Sequence, residues 1–378
     1  MKKENYLKTL DTGISLVKNV NTYNFGINSI DNLNLVLNRK KIENNKKDYQ
    51  DKVVFFIDNF FKDDLELLNK INIRKEDKLI YVDTSEEPYT HKVDEYKQIL
   101  EKEGFERPFA IVGLGGGVTM DFAKAISNLL TNEGNASDYQ GWDLVKKPGI
   151  YKIGIPSISG TGAEATRTCV MTNSKSGLKL GMNSDYTVFD HIIMDSNLSN
   201  SVPRDQYFYT GMDAFIHCIE SLNGSYRNSI GDAYSRETLR LCNEVFMSPD
   251  MKSDLNREKL MVASYLGGCA IASSYVGIVH PFSAALSVVL KIHHCIANCI
   301  VMRAMEEFYS KDFEIFWNMV SKQKINIPKG VCSNLNDKQY KDLITSTLIH
   351  EKPLTNALGK EYREILNEDK VIEIFKKM

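Results

Sequence analysis

Two hydrophobic rhythms divide this 378-residue chain, and they meet at Pro203. Before it, short apolar runs at 53–57, 79–82, 109–112 and 151–155 are rich in β-branched or aromatic residues and bounded by polar or glycine-bearing stretches. Such runs read as strands buried on both faces. Segments of helical length lie between them, for example 92–103, with Val93, Tyr96, Ile99 and Leu100 on one face. A βαβ alternation of this kind requires a parallel sheet with crossover helices. After Pro203 the strand-like pattern stops and long helical patterns begin with 204–222, where Pro203 suits a first turn and Gly224 an exit. The expected fold is an α/β domain with a parallel sheet over 1–202, followed by an all-helical domain over 203–378.

Charge and cysteine content narrow the function. With 47 basic and 49 acidic residues the formal charge is −2, which leaves no electrostatic footprint for nucleic acid or an anionic membrane and points to a small-molecule partner. Seven cysteines without a CxxC pair fit reduced thiols in a cytoplasmic protein. Residues 1–6 carry no apolar segment, so no secretory signal is expected, and 39–52 reads as a charged surface loop. From Leu260 to Leu290 the only ionisable side chain besides Tyr and Cys is His280, a length that could span a bilayer. Gly267, Gly268, Gly277, Pro281 and the polar Ser264, Ser273 and Ser274 interrupt it, so a buried helix pair is expected.

The buried run gives His280 a need for a partner, and the downstream pattern supplies one. Asp213 and His217 are four residues apart and share one helical face, while His280 and His294 follow from later segments. Three imidazoles and a carboxylate suit Fe2+ or Zn2+. Upstream, the third strand runs into Gly113-Leu-Gly-Gly-Gly-Val118-Thr-Met-Asp121 and then a helix with Phe122, Ala125, Ile126, Leu129 and Leu130 on its apolar face. Glycines at a strand-to-helix turn let a pyrophosphate approach the helix N-terminus. A second loop, 156–164, alternates Ser157, Ser159 and Thr161 with glycine and either binds ribose or phosphate or caps the next helix. Asp58 ends the first predicted strand, where a carboxylate accepts ribose hydroxyls and repels a 2′-phosphate, favouring NAD over NADP.

Together these segments, GGGVTMDFAK at 115–124, SISGTGAE at 157–164, GMDAFIHCIE at 211–220 and the spaced histidines 280 and 294, resemble the iron-containing, or group III, alcohol dehydrogenases, related in fold to dehydroquinate synthase. The resemblance implies that Asp213, His217, His280 and His294 ligate the metal. It also implies that Gly115, Gly116, Gly117 and Asp121 meet the pyrophosphate and nicotinamide, that Ser157 and Thr161 contact the cofactor, and that Lys179 reaches its ribose or phosphate side. Two positions depart from the family pattern. Val118 replaces a serine, which leaves only a backbone N–H for phosphate, and Ala284 replaces a histidine that often relays a proton, so that route passes to His293, the cofactor ribose or water.

Segments 139–144, 179–186 and 209–213 are similar to a subgroup that oxidises the C8 hydroxyl of 3-deoxy-D-manno-octulosonate, whose aldehyde goes to a pyridoxal-phosphate aminotransferase in lipopolysaccharide biosynthesis. The resemblance further implies a homo-oligomer, and a sugar-acid carboxylate held by Arg167, Asn183 and Tyr186. In such a site a metal polarises the alcohol and the nicotinamide, NAD or NADP, takes the hydride. The alternatives are a general short-chain alcohol or diol dehydrogenase, a lyase of the dehydroquinate synthase type, and a silent nucleotide- or metal-binding protein.

Overall fold

The structure is a computed structural model, and it describes residues 17–43 and 49–378. Among the described residues nine strands precede the helical half: β1 Thr22–Phe25, β2 Gln50–Asp58, β3 Lys78–Val82, β4 Pro108–Gly115, β5 Gly141–Trp142, β6 Lys152–Pro156, β7 Thr168–Asn173, β8 Leu178–Asn183 and β9 His191–Met194. Helices α1 Leu33–Glu43, α2 Leu65–Ile71, α3 Thr90–Lys102 and α4 Gly117–Leu129 lie among them. From Arg204 onward the elements are helical: α5 Arg204–Asn223, α6 Ser229–Met247, α7 Asp254–Ser273, α8 Val279–Leu290, α9 His294–Val301, α10 Ser310–Gln323, α11 Asp337–Leu348, α12 Glu351–Leu358, α13 Tyr362–Ile365 and α14 Glu368–Lys376.

Six strands form one wholly parallel sheet in the order β1-β9-β6-β4-β2-β3. The four strands read from the sequence are β2, β3, β4 and β6, which lie side by side in it with β3 at the edge; β2, β3 and β4 extend beyond the predicted runs by one to three residues, and β6 is displaced by one. One face packs on α1 and α2 through Leu33, Leu37, Leu67 and Ile71, and the other on α3 and α4 through Val93, Leu100, Phe122 and Ile126. Neighbouring strands β2 and β4 therefore send their following helices to opposite faces, which opens a crevice between their C-terminal ends, the usual ligand position in such sheets. Asp58 ends β2 and Gly115 ends β4, so both stand at that crevice.

Three features differ from the sequence expectation. A second small sheet, β5-β8-β7, has an antiparallel pair between β7 and β8, so the first half is not purely parallel. The 39–52 stretch is not a loop throughout, because α1 runs to Glu43 and β2 begins at Gln50. Gly224 exits α5 with an extended backbone; a Cβ there would lie within 2.5 Å of the Asn356 side chain, so close packing, not a left-handed turn, calls for glycine.

The apolar run 260–290 is two helices, α7 and α8, separated by a turn at 274–278, and both belong to the core of the helical half. Among the described residues no helix is long and apolar enough to cross a membrane. All seven cysteines are free and buried. The reading of residues 1–6 lies outside the described residues.

Candidate active site between the two halves

α5 carries Asp213, His217 and Glu220 on one face, as a spacing of four and three residues dictates. Asp213 is fully buried, and three imidazoles surround its carboxylate: His217 Nε2 at 3.5 Å, His280 Nε2 at 3.3 Å and His294 Nε2 at 4.0 Å. His217 and His280 stack with ring centroids 4.7 Å apart. Asp213, His280 and His294 present ligand atoms all within 4.8 Å of one another, and His217 stands at the edge of this tighter group. The sequence thus named four residues that the fold brings to one point from α5, α8 and the start of α9.

Two further residues hold them and were not anticipated. Glu220, buried, accepts the backbone N–H groups of Val279 and His280 and a hydrogen bond from His280 Nδ1. With Nδ1 donating to Glu220, Nε2 is the nitrogen left to face Asp213. Asn298 Nδ2 donates to Asp213 Oδ1 at 2.6 Å and so fixes the carboxylate. Both could have been found from spacing, since Glu220 is three residues beyond His217 and Asn298 four beyond His294.

The electrostatics follow from burial and from this clustering. Burial works to raise the Asp213 pKa, but the three histidines hold the carboxyl below its usual range. Burial pushes His217 down to about 4 and, with Lys179, His294 down to about 3, so both are neutral imidazoles near pH 7. For His280 burial is outweighed by Glu220 and Asp213, which push it up to about 10. Buried His280 Nε2 has no hydrogen-bond partner among the described residues although it faces a carboxylate. An orphaned nitrogen, two neutral imidazoles and an ionised carboxylate form a donor set that fits a divalent metal of borderline softness.

The glycine loop adjoins this cluster through the second loop. β4 ends at Gly115 and α4 begins at Gly117; a Cβ on Gly115 would lie 3.0 Å from the Cβ of Asp58, which places the carboxylate beside the loop. Asp58 already accepts from Phe60 N at 3.0 Å and from Thr84 Oγ1 at 3.2 Å, and burial raises its pKa. Thr161 packs on Gly117, and the Ser157 N–H donates to the Gly115 carbonyl at 3.0 Å. Val118 is in the first turn of α4 and packs on the α/β core. The buried hydroxyls of Thr119 and Ser159 have no partner among the described residues, which fits a cradle for a phosphate-bearing ligand.

Glycines in the second loop serve a purpose the sequence did not disclose. Gly160 has φ +149°, and a Cβ there would overlap the Thr210 carbonyl of α5, three residues before Asp213. Gly162 has φ +63°, and a Cβ would come 2.6 Å from Gly268 Cα of α7. The loop is therefore pressed between the glycine turn and the metal-facing helices, and ties cofactor loop to cluster.

Other expected site residues are placed as follows. Asp121, on α4, accepts from Val170 N at 2.9 Å and is pushed up to about 7, chiefly by burial. Lys179, expected on the ribose or phosphate side, pairs with Glu87 at 3.2 Å, and Glu87 also accepts the His294 N–H at 3.2 Å. It thus belongs to the edge of the His294 cluster. His293 caps α9 and is exposed. Ala284 is buried in α8, where it offers no group to relay a proton.

The substrate candidates are largely committed elsewhere. Arg167 pairs with Asp143 and, at 3.2 Å, with Asp185. Asn183 bonds Thr168 Oγ1, the Gly141 carbonyl at 2.9 Å and the Gly181 carbonyl at 3.0 Å, so its amide knits the small sheet. Tyr186 packs against the α/β core.

A family model described as iron-containing alcohol dehydrogenase matches residues 35–196, and one for the C-terminal part of the Fe-containing alcohol dehydrogenase family matches 207–376. The sulfoacetaldehyde reductase of Bilophila wadsworthia (strain 3_1_6) is 36% identical over 189 residues, 50% of this chain and 49% of that protein. The NAD-dependent methanol dehydrogenase of Bacillus methanolicus is 31% identical over 238 residues, 61% of each. The chain thus spans about half to three fifths of the length of these curated relatives. Its fold matches a 1,3-propanediol oxidoreductase with a TM-score of 0.81 at 20% identity, covering 98% of this chain and 100% of that one. It also matches a sulfoacetaldehyde reductase from Bifidobacterium kashiwanohense in complex with NAD+, with a TM-score of 0.77 at 20% identity over 96% and 98% of the two chains. With two family models that together cover nearly the whole chain, and a fold and buried Asp/His cluster in accord with them, this protein belongs to the iron-containing alcohol dehydrogenase family.

Proposed function

We propose that this protein is a metal-dependent oxidoreductase interconverting a primary alcohol and an aldehyde with a nicotinamide cofactor. The observation that carries the reading is the junction just described: a buried Asp213/His217/His280/His294 cluster joined by the 156–164 loop to a glycine turn at the sheet crevice. When bound, the metal supplies Lewis acidity toward the alcohol and the nicotinamide supplies a hydride acceptor. The protein's own part is positional. Asp213, oriented by Asn298, and His217, His280 and His294 would hold the metal, with Glu220 keeping the proton on His280 Nδ1. Gly115, Gly116, Gly117 and Asp121, with the α4 N-terminus, would meet the pyrophosphate and nicotinamide, Asp58 the adenosine ribose, and Ser157 and Thr161 would contact the cofactor. The buried surroundings of Asp213 keep bulk water from the reacting atoms.

For the substrate, resemblance in 139–144, 179–186 and 209–213 supports the C8 hydroxyl of 3-deoxy-D-manno-octulosonate. The aldehyde product of that reaction suits a pyridoxal-phosphate aminotransferase making an 8-amino sugar for lipopolysaccharide. A second reading, a short anionic aldehyde or its alcohol, is favoured by the likeness to the sulfoacetaldehyde reductase. Iron- or zinc-loaded protein should be given NAD or NADP with octulosonate, the alcohol of sulfoacetaldehyde, and short diols, and the aldehydes identified by mass spectrometry. Oxidation of octulosonate ahead of the others supports the sugar-acid reading; oxidation of short alcohols alone refutes it and leaves the class.

A further inference from the structure

Arg167 and Lys179 are ion-paired, whereas Lys352 forms no ion pair among the described residues. We propose that Lys352, Trp142 and Tyr275 form a subsite for the hydroxylated, anionic end of the substrate, remote from the reacting hydroxyl; this deepens the alcohol-oxidising reading and rests on it.

Three separate parts of the chain converge to build it. Trp142 comes from β5, Tyr275 from the turn between α7 and α8, and Lys352 from the first turn of α12. The Lys352 ammonium lies 3.7 Å from the Trp142 ring centroid and 5.6 Å from that of Tyr275, and the two rings meet edge to face at 5.3 Å. Tyr226 backs Tyr275 at 5.1 Å. Lys352 is half-buried, yet it forms no hydrogen bond or ion pair among the described residues; Asp143, the carboxylate whose charge it feels, is paired with Arg167. A ring face attracts a cation but does not satisfy its N–H donors as a carboxylate does. Trp142 is 37% exposed, so part of its ring is open to a ligand. A partly exposed aromatic ring beside a cation without an ion-pair partner, at the N-terminal turn of a helix, is the chemistry that receives the C–H face of a sugar and its carboxylate.

The subsite is coupled to the metal cluster by rigid connections. Tyr275 lies five residues before His280, and Asn356 of α12 donates to the Tyr275 and Val276 carbonyls at 2.9 and 3.1 Å. Asn356 Oδ1 also accepts the Tyr226 N–H at 2.8 Å, so one side chain registers α12 against both aromatic turns. On the opposite side Asn183 anchors the Gly141 carbonyl beside Trp142. His350, which caps α12 two residues before Lys352, is close enough to Lys179 and His280 to feel their charges. A substrate with its hydroxyl at the cluster and an acidic end several carbons away would run along this path.

The test uses Trp142 as its own reporter. The chain has two tryptophans, and Trp317 packs on α10 against Phe313 and Phe316. In a Trp317→Phe background, octulosonate should change Trp142 emission saturably, and Lys352→Met should weaken that binding about tenfold or more while Lys352→Arg restores most of it. In turnover, Lys352→Met should raise KM for the acid with little change in kcat and lower the acid-to-diol ratio of kcat/KM by about the same factor. A saturable emission change lost in Lys352→Met supports the subsite even if the acid is not oxidised, an outcome that refutes only the reaction reading. Oxidation of the acid with KM and emission indifferent to Lys352→Met overturns the subsite and spares the reaction. Absence of any emission change with the acid also overturns it.

Discussion

Replacing Glu220 by glutamine should cost metal affinity through an atom that never touches the metal. Glu220 is fully buried and uses both oxygens: one accepts the Val279 and His280 N–H groups, the other a hydrogen bond from His280 Nδ1. Glutamine keeps the volume but has one acceptor and one donor end. If its oxygen stays with the two backbone N–H groups, its amide faces His280 Nδ1 and forces the proton to Nε2, the nitrogen that faces Asp213. If it flips, its amide opposes two backbone donors and the α8 N-terminus loses its anchor. Losing an outer-sphere carboxylate of this type costs roughly 10–100-fold in metal affinity, or about 1.4–2.7 kcal/mol. The assay is competition of apo-protein against a chelator of known affinity for Zn2+, with circular dichroism to confirm the fold. Affinity within about twofold of wild type in a folded Glu220→Gln protein would refute the positioning argument.

Three other perturbations read different parts of the structure. Gly162→Ala forces φ +63° on a residue with a Cβ and drives that Cβ into Gly268, so thermal unfolding should report a loss of about 2 kcal/mol or more, and an unchanged Tm would show the loop is not clamped on α7. His191 ties β9 to edge strand β1 by bonds to Thr22 and Asn24, and burial depresses its pKa to about 4. Because the unfolded chain binds that proton more readily, stability should be full above about pH 6.5 and fall between there and 4, and His191→Asn should flatten this part of the urea-denaturation profile. Wild-type protein should prefer NAD, and Asp58→Ala should shift the NADP-to-NAD ratio of kcat/KM upward by about tenfold, whereas equal use of both by wild type would remove Asp58 from the ribose.

What was legible in the sequence is what local pattern can encode. Strands β2, β4 and β6 lie inside the sheet and are apolar on both faces, so a run of hydrophobic residues marks them directly, and the edge strand β3 still carries Leu79, Ile80, Tyr81 and Val82 in a row. Asp213 and His217 share a helical face, and His280 stands out because almost nothing else in its run is ionisable. Strands β1 and β9 escaped because each has four residues and takes its identity from its partner, a pairing across more than 160 residues. The small sheet escaped because β7 and β8 alternate half-buried residues without a strong apolar signal. Arg167 and Asn183 looked like substrate ligands by position, but the fold uses their polar atoms to hold β5, β7 and β8 together. Glu87 and Lys352 carry no local signature at all, since their partners lie in segments distant in the sequence.

The most direct test of the central claim is the fate of the carbinol hydrogen. Metal-loaded protein should be incubated with a primary alcohol deuterated at the carbinol carbon and NAD, and the reduced cofactor analysed by mass spectrometry. One deuterium per NADH formed is expected, with formation abolished by a chelator and restored by Fe2+ or Zn2+. Aldehyde produced without deuterium in the nicotinamide would contradict it, because the electrons would then have left by another path.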